Sequence, residues 1–190
     1  LLIFDPDWLL EKETSEDFSE GLGGVSLHSY VKSFSAHHKI GHCAWNRICG
    51  PLLVPDLECG KEVLSIGYSN DERLLSNRQG MIWNFPSGGS GTVKLEMKIV
   101  GDGVRIGLLD RWMNPIDETV RDFAAFYFEV GPECIANKNW FELQIKFDIA
   151  TSRADAFVNG EKLFGIRLSD PSIEEVSYIH IQSNAKETDK

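Results

Sequence analysis

Residues 140–166 read WFELQIKFDIATSRADAFVNGEKLFGI, and this stretch decides the fold. Phe141, Leu143, Ile145 and Phe147 alternate with Glu142, Gln144, Lys146 and Asp148, a period of two that sets one side of a strand on a core and the other in water. After a short polar break at 150–153, Ala154, Ala156 and Val158 alternate with Asp155 and Phe157. The run ends at Asn159-Gly160, the pair that best tolerates φ > 0 at both central residues of a type I′ turn. Two successive hairpins are therefore expected. A meander of this kind exposes one apolar side, so the rest of the chain has to supply a facing layer, most simply a second sheet.

Working outward, the same signals recur. Residues 63–67 form a short strand after a turn at Pro55-Asp56, and Met81, Ile82, Trp83 and Phe85 mark another over 79–85. A loop at 86–91, PSGGSG, separates it from 92–100, where Val93, Leu95, Met97 and Ile99 share a side. Gly101-Asp102-Gly103 then turns the chain into 104–108. Residues 110–121, DRWMNPIDETVR, lack alternation and read as a loop, and 122–130 as a strand covered on both faces. Ile179 and Ile181 point inward on the last strand, 176–182, with Tyr178, His180 and Gln182 outward. The first 60 residues make an irregular start with loops, including the acidic, glycine-rich EKETSEDFSEGLGG and a strand-like run over 25–34. No long stretch carries a helical period. The expected fold is all-β, a two-sheet antiparallel jelly-roll sandwich.

With 190 residues, 42% of them hydrophobic, the chain suits one domain spanning 1–190. It opens Leu-Leu-Ile-Phe without a methionine and reads as a piece of a longer protein. A formal charge of −10 argues against sequence-independent nucleic-acid binding and against docking on anionic membranes. No apolar run approaches the roughly 18 residues that span a bilayer, so no membrane insertion is expected. Cys43, Cys49, Cys59 and Cys134 are too few for a disulfide-built scaffold, and a Cys43–Cys49 bridge is left open beside free thiols. His37, His38, His42, Cys43 and Cys49 carry zinc-ligand chemistry, but the spacing H-H-x3-H-C-x5-C matches no finger or ribbon, which favours ordinary loop and core roles.

The segments EVLSIGYSNDERLL, GGSGTVKLEMKIVGDGVRIGLLD, NWFELQIKFDIATSRADAFVNGEKL and VSYIHIQSNA follow one another over roughly residues 60–185. Their order resembles the concanavalin A-like, laminin-G-type sandwich that serves as an accessory module in sialidase- or glycosidase-like proteins. In such modules W-x4-I-x-F-D followed by A-x3-V-N-G is a structural hairpin signature, so those residues imply architecture. The resemblance implies a non-catalytic accessory domain of a larger secreted or cell-surface glycan-processing protein, with a glycan and a neighbouring domain of the same chain as partners. Calcium recurs in the fold class, held by loop carboxylates, and Asp17, Asp71, Asp110 and Asp117 are the acidic loop residues available here.

Sugar recognition combines aromatic rings, which stack on apolar C–H faces, with planar polar groups that bond hydroxyl pairs. Trp112 with Arg111, Asn114 and Asp117 supplies both, and Arg105, Tyr127, Tyr178, His180 and Gln182 are candidates to line a strand face. Trp83 and Trp140 have apolar neighbours and read as core. Two alternatives stand beside binding. A catalytic glycoside hydrolase or polysaccharide lyase needs a carboxylate pair about 5 to 5.5 Å apart or an Arg, Gln, His and Tyr set. The E-x-D-x-x-E strand motif of laminarinase-type enzymes is missing, Gln144 and Lys146 separate Glu142 from Asp148, and Lys94 and Lys98 flank Glu96, leaving it a poor general acid. Tyr178, His180 and Gln182 supply three of the four lyase types. The other alternative is a structural spacer or protein-interaction module.

Overall fold

The computed structural model describes residues 12–27, 29, 30, 43, 44, 50–72, 74, 76–135 and 139–186. Among them the strands are β1 (Val25–Ser26), β2 (Ser29–Tyr30), β3 (Cys43–Ala44), β4 (Leu52–Asp56), β5 (Lys61–Ser65), β6 (Gly80–Gly88) and β7 (Ser90–Met97). They continue with β8 (Val104–Leu109), β9 (Phe126–Val130), β10 (Phe141–Asp148), β11 (Arg153–Val158), β12 (Glu161–Arg167) and β13 (Val176–Ser183). One four-residue helix, α1, spans Val120–Phe123.

The strands pair antiparallel into a five-stranded sheet, β1-β6-β13-β8-β9, a four-stranded sheet, β12-β11-β10-β7, and two two-stranded sheets, β2-β3 and β4-β5. The molecule is an all-β antiparallel sandwich, as the alternation predicts. Phe141, Leu143, Ile145 and Phe147 are all buried on β10, and Ala154 and Ala156 of β11 lie on the same side. Facing them are Met81 of β6, Ile106 and Leu108 of β8, Phe126, Phe128 and Val130 of β9, and Ile179 and Ile181 of β13. Each large side chain closed from water in this way contributes roughly 1.5–3 kcal/mol. One flank is closed by Phe128 of β9 meeting Phe164 of β12 edge-on at 5.6 Å. The β11–β12 turn is built on Asn159 and Gly160, both at positive φ, 48° and 83°.

Three boundaries differ from the sequence reading. Residues 86–88 are not loop but the end of β6, and the chain changes sheets at Gly89. Pro86 is tolerated there because, among the described residues, β1 pairs only with Ile82 and Trp83 and leaves that edge free, while the β13 register shifts between Val176 and Tyr178. Pro55-Asp56 is likewise not a turn: β4 runs through both, and residues 57–60 turn instead, with the Asp56 carboxylate accepting the amides of Glu58 and Cys59 at 2.8 and 3.0 Å. The strand expected from 122 begins only at Phe126, because Val120 and Ala124 wind over β8 and pack on Ile82 and Leu109. Ser29 and Tyr30 of the strand-like run over 25–34 do pair as β2, and residues 31–34 lie outside the described residues.

Candidate functional site

Register decides which outward side chains meet. On the five-stranded sheet Tyr178 sits beside Leu109, His180 beside Gly107 and Gln182 beside Arg105, while Gly107 and Arg105 lie opposite Tyr127 and Glu129 on β9. Arg105, Tyr127, Tyr178, His180 and Gln182 therefore share one face, as the period of two requires. That face is roofed. The chain from 110 to 124 crosses it as a strap, and two glycines make the approach possible. A Cβ on Gly80 would run into the Pro115 backbone, and one on Gly107 would stand 3.0 Å from Val120 Cγ1 and 3.3 Å from the Ala124 Cβ.

Three of the predicted site residues are enclosed by this strap. His180 and Gln182 are 1% exposed and Asn114 is 2% exposed. Outward on β13 thus means away from the sandwich core but not into water. His180 Nε2–H donates to the Asn114 carbonyl at 3.2 Å, and the Asn114 Oδ1 accepts the Ile116 amide at 3.1 Å. Burial drives the His180 pKa down to about 4, against the opposing pull of the Asn114 and Pro115 carbonyls and the charges of Asp117 and Glu118. The ring is neutral at pH 7. Among the described residues His180 Nδ1 and Gln182 Nε2 have no hydrogen-bond partner.

The far end of the strap is fixed by charge. Glu118 accepts from Ser76 Oγ at 2.7 Å, Arg78 Nη1 at 2.9 Å and Arg105 Nη1 at 2.6 Å. Desolvation raises its pKa, but these donors and the two arginine charges outweigh it and hold the carboxyl below its usual range. Asp117 takes the Thr119 amide and hydroxyl at 2.9 and 2.7 Å. Tyr127 donates to Glu129 at 3.1 Å beneath the Arg121 guanidinium, and burial, with the Glu129 charge, pushes its pKa up to about 12. Arg105, Asp117 and Tyr127 are thus engaged within the protein.

The near end of the strap is open. Between buried Leu109 and buried Asn114, Trp112 is 42% exposed, while Met113 packs onto Leu109, Ile82, Val120 and Ala124. Arg111 forms a two-pronged pair with Asp110, Nε to Oδ1 at 2.7 Å and Nη2 to Oδ2 at 2.8 Å. This pairing holds the Asp110 pKa down, and the charge of Asp170 reaches both residues. Ser169, next to Asp170, bonds to the Ala124 carbonyl, and the residue before Ala124, Phe123, is 47% exposed. Exposed Trp112 follows the Asp110–Arg111 pair in the chain, the charge of Asp170 reaches Arg111, and exposed Phe123 precedes the Ala124 that Ser169 holds. Sequence reasoning missed Phe123, read as part of a strand, and Asp170, read only as a turn residue. The one signal for Asp170 is that a strand starting shortly after it pairs with the strand ending before Asp110, as Tyr178 opposite Leu109 confirms.

Elsewhere the chemistry is dispersed. Among the described residues no group of three or more His, Cys, Asp or Glu side chains converges as a metal site. Asp17 caps the Ser19 amide, the Asp71 backbone carbonyl accepts from Asn77, and Asp110 and Asp117 have the partners given above, so three of the four carboxylates proposed for calcium hold separate local roles. His37, His38, His42 and Cys49, and the Cys43 side chain, lie outside the described residues; Cys59 and Cys134 are free thiols. Glu96 and Glu142 stand directly opposite across β7 and β10, each with its own lysine, Lys61 at 3.3 Å and Lys94 at 3.9 Å, on an exposed sheet surface. Trp140 is half-buried and donates to Asp56 at 3.3 Å, and Trp83 packs against the core. A cavity of about 1510 Å³ opens along β6 and β7 beside the β4–β5 hairpin; Asp17 lines it, and none of the predicted carbohydrate-site residues does.

No protein-family profile matches the chain, and no curated protein does. Among solved structures, a chain described as "Sialidase" superposes with a TM-score of 0.57 and 11% sequence identity, over 89% of this chain. The matched part is 14% of that chain, so this sequence spans about a seventh of its neighbour's length. At that identity the likeness is one of fold: the sandwich of this chain is similar to a β-rich part of a sialidase.

Proposed function

We propose that the chain is a carbohydrate-binding accessory domain of a larger secreted or cell-surface glycan-processing protein, a sandwich of the concanavalin A-like, laminin-G type without catalytic machinery of its own. The observation that carries this reading is Trp112, exposed on a short span pinned on both sides by buried residues. An aromatic platform held in place before the ligand arrives loses little conformational freedom on binding. Next to it in the chain the Arg111–Asp110 pair offers donors and acceptors to sugar hydroxyls. The fold likeness to part of a sialidase agrees with an accessory role beside a neighbouring domain.

The test is binding of the purified chain to a glycan array in calcium and again in EDTA, with Trp112→Ala run alongside and its fold checked by thermal melting. The expected result is saturable binding that weakens at least about tenfold in the variant, the scale of a central aromatic contact, at unchanged Tm. Binding indifferent to the substitution would remove Trp112 from the site. No binding to any glycan would leave a spacer or protein-interaction module.

A further inference from the structure

Among the described residues four buried side-chain nitrogens lack a hydrogen-bond partner, and all four gather at the strap: Nε of Arg78, Nε of Arg105, Nδ1 of His180 and Nε2 of Gln182. Register sets three of them side by side. His180 and Gln182 stand two apart on β13 and share the face that the strap covers, and Gln182 lies directly opposite Arg105 on β8. Arg78 is tied to the group through Glu118, whose Oε2 accepts from Arg78 Nη1 at 2.9 Å and from Arg105 Nη1 at 2.6 Å. The Glu129 carboxylate stands 3.9 Å from Arg105 Nε, beyond hydrogen-bond range.

The chemistry of the three neighbours is mixed. His180 donates through Nε2 to the Asn114 carbonyl, so its Nδ1 is an acceptor that needs a proton, while Gln182 Nε2 and Arg105 Nε are donors that need a lone pair. Buried groups of either kind are costly to leave bare. An anion has no proton for Nδ1, and a metal cation has no lone pair for the N–H groups. Water has both. Bonding at about 2.8–3 Å on each side, one water oxygen joins groups up to roughly 6 Å apart, the spacing of neighbours on a sheet face.

We infer that the strap seals a structural water that donates to His180 Nδ1 and accepts from Gln182 Nε2 and Arg105 Nε. This goes beyond the glycan-binding reading and stands whether or not Trp112 meets a sugar. By holding Nδ1 as the acceptor, the water keeps the imidazole proton on Nε2, where it bonds the Asn114 carbonyl two residues after Trp112. The same carbonyl accepts the Asp117 amide at 2.9 Å. The water is therefore a link in the latch that fastens the strap to β13.

The test is water-to-protein cross-relaxation by NMR on protein carrying isotope-labelled histidine, with Gln182→Met alongside, a side chain of similar length that has no N–H to give. In the wild type the His180 ring is expected to show direct contact with a long-lived water, and ring nitrogen shifts of a neutral imidazole protonated at Nε2 and hydrogen-bonded at Nδ1. In the variant that contact is lost, and the Ile116 and Asp117 amides exchange about tenfold faster, the scale of one hydrogen bond. A wild-type ring without a long-lived water neighbour, or with its proton on Nδ1, would overturn the inference. So would a water contact and exchange rates that Gln182→Met leaves unchanged. If the variant does not fold, the wild-type measurement decides alone.

Discussion

Acid should loosen this protein through His180 before it reaches the carboxylates. In the folded chain the ring is 1% exposed with a pKa near 4, against an ordinary 6.5 once unfolded. The folded value is depressed, so the stabilising contribution is complete above the unfolded pKa. It is lost as pH falls from 6.5 toward 4, because over that window only the unfolded chain takes up the proton. For those two values the single-site linkage between pH 7 and about 4.5 amounts to roughly 2 kcal/mol, a large part of a typical domain's stability. The perturbation is His180→Gln, whose amide can still donate to the Asn114 carbonyl but does not titrate. Urea unfolding of both proteins at steps from pH 7 to 4.5 gives the two slopes, and subtraction cancels the carboxylates they share. The wild type should lose about 2 kcal/mol more than the variant across this range. Coinciding slopes would refute the reasoning, since His180 would then be titrating as a solvated ring and the strap would not be closed over it.

Two further predictions concern the strap. Glu118→Ala removes the acceptor shared by Ser76, Arg78 and Arg105, at a cost of roughly 1–3 kcal/mol once its 40% side-chain exposure is allowed for. Because its pKa lies below the usual range, that contribution is present above about pH 4.3 and lost as pH falls through the folded value. Urea melts of variant and wild type, superimposable at pH 7, would contradict it. Gly80→Val places a side chain against the backbones of Pro115 and Ile181, neither of which can rotate away, at an expected cost of about 1–3 kcal/mol or more. The strap should then lift and be cut by protease between residues 110 and 119 while the sheets persist, and a digestion pattern identical to wild type would exclude the close approach described here.

The sandwich is legible in the sequence wherever one face of a strand is wet. Phe141 to Asp148 alternates because β10 has water on one side, and Asn159-Gly160 marks its own turn by φ alone. Reading failed where tertiary contacts override local signals. Pro86 usually breaks a strand, but among the described residues the edge it occupies has no partner needing its missing N–H. Phe123 alternates correctly with Ala125 and Tyr127, yet belongs to a helical turn set by packing of Val120 and Ala124 over Gly107. The polar side chains of β13 show the same limit at the site. His180 and Gln182 look solvent-facing by composition, and only knowledge that residues 110–124 return across Gly80 and Gly107 reveals them as buried. Trp112 could be singled out from its loop, whereas the charge of Asp170 reaches neighbouring Arg111 only through pairing of strands about 70 residues apart in sequence.

The strap also has a place in time. Its floor is made by β6, β8 and β13, so the surface it rests on does not exist until strands that begin near residue 80 and near residue 176 have met. Its contacts therefore form after the loop-closure entropy of that long separation has been overcome, on the late side of the folding barrier. Interactions made late slow unfolding more than they speed folding. The glycines at 80 and 107 thus act chiefly on how long the native state lasts, and the segment bearing Trp112 is the unit that amide exchange would register as opening ahead of the sheets beneath it.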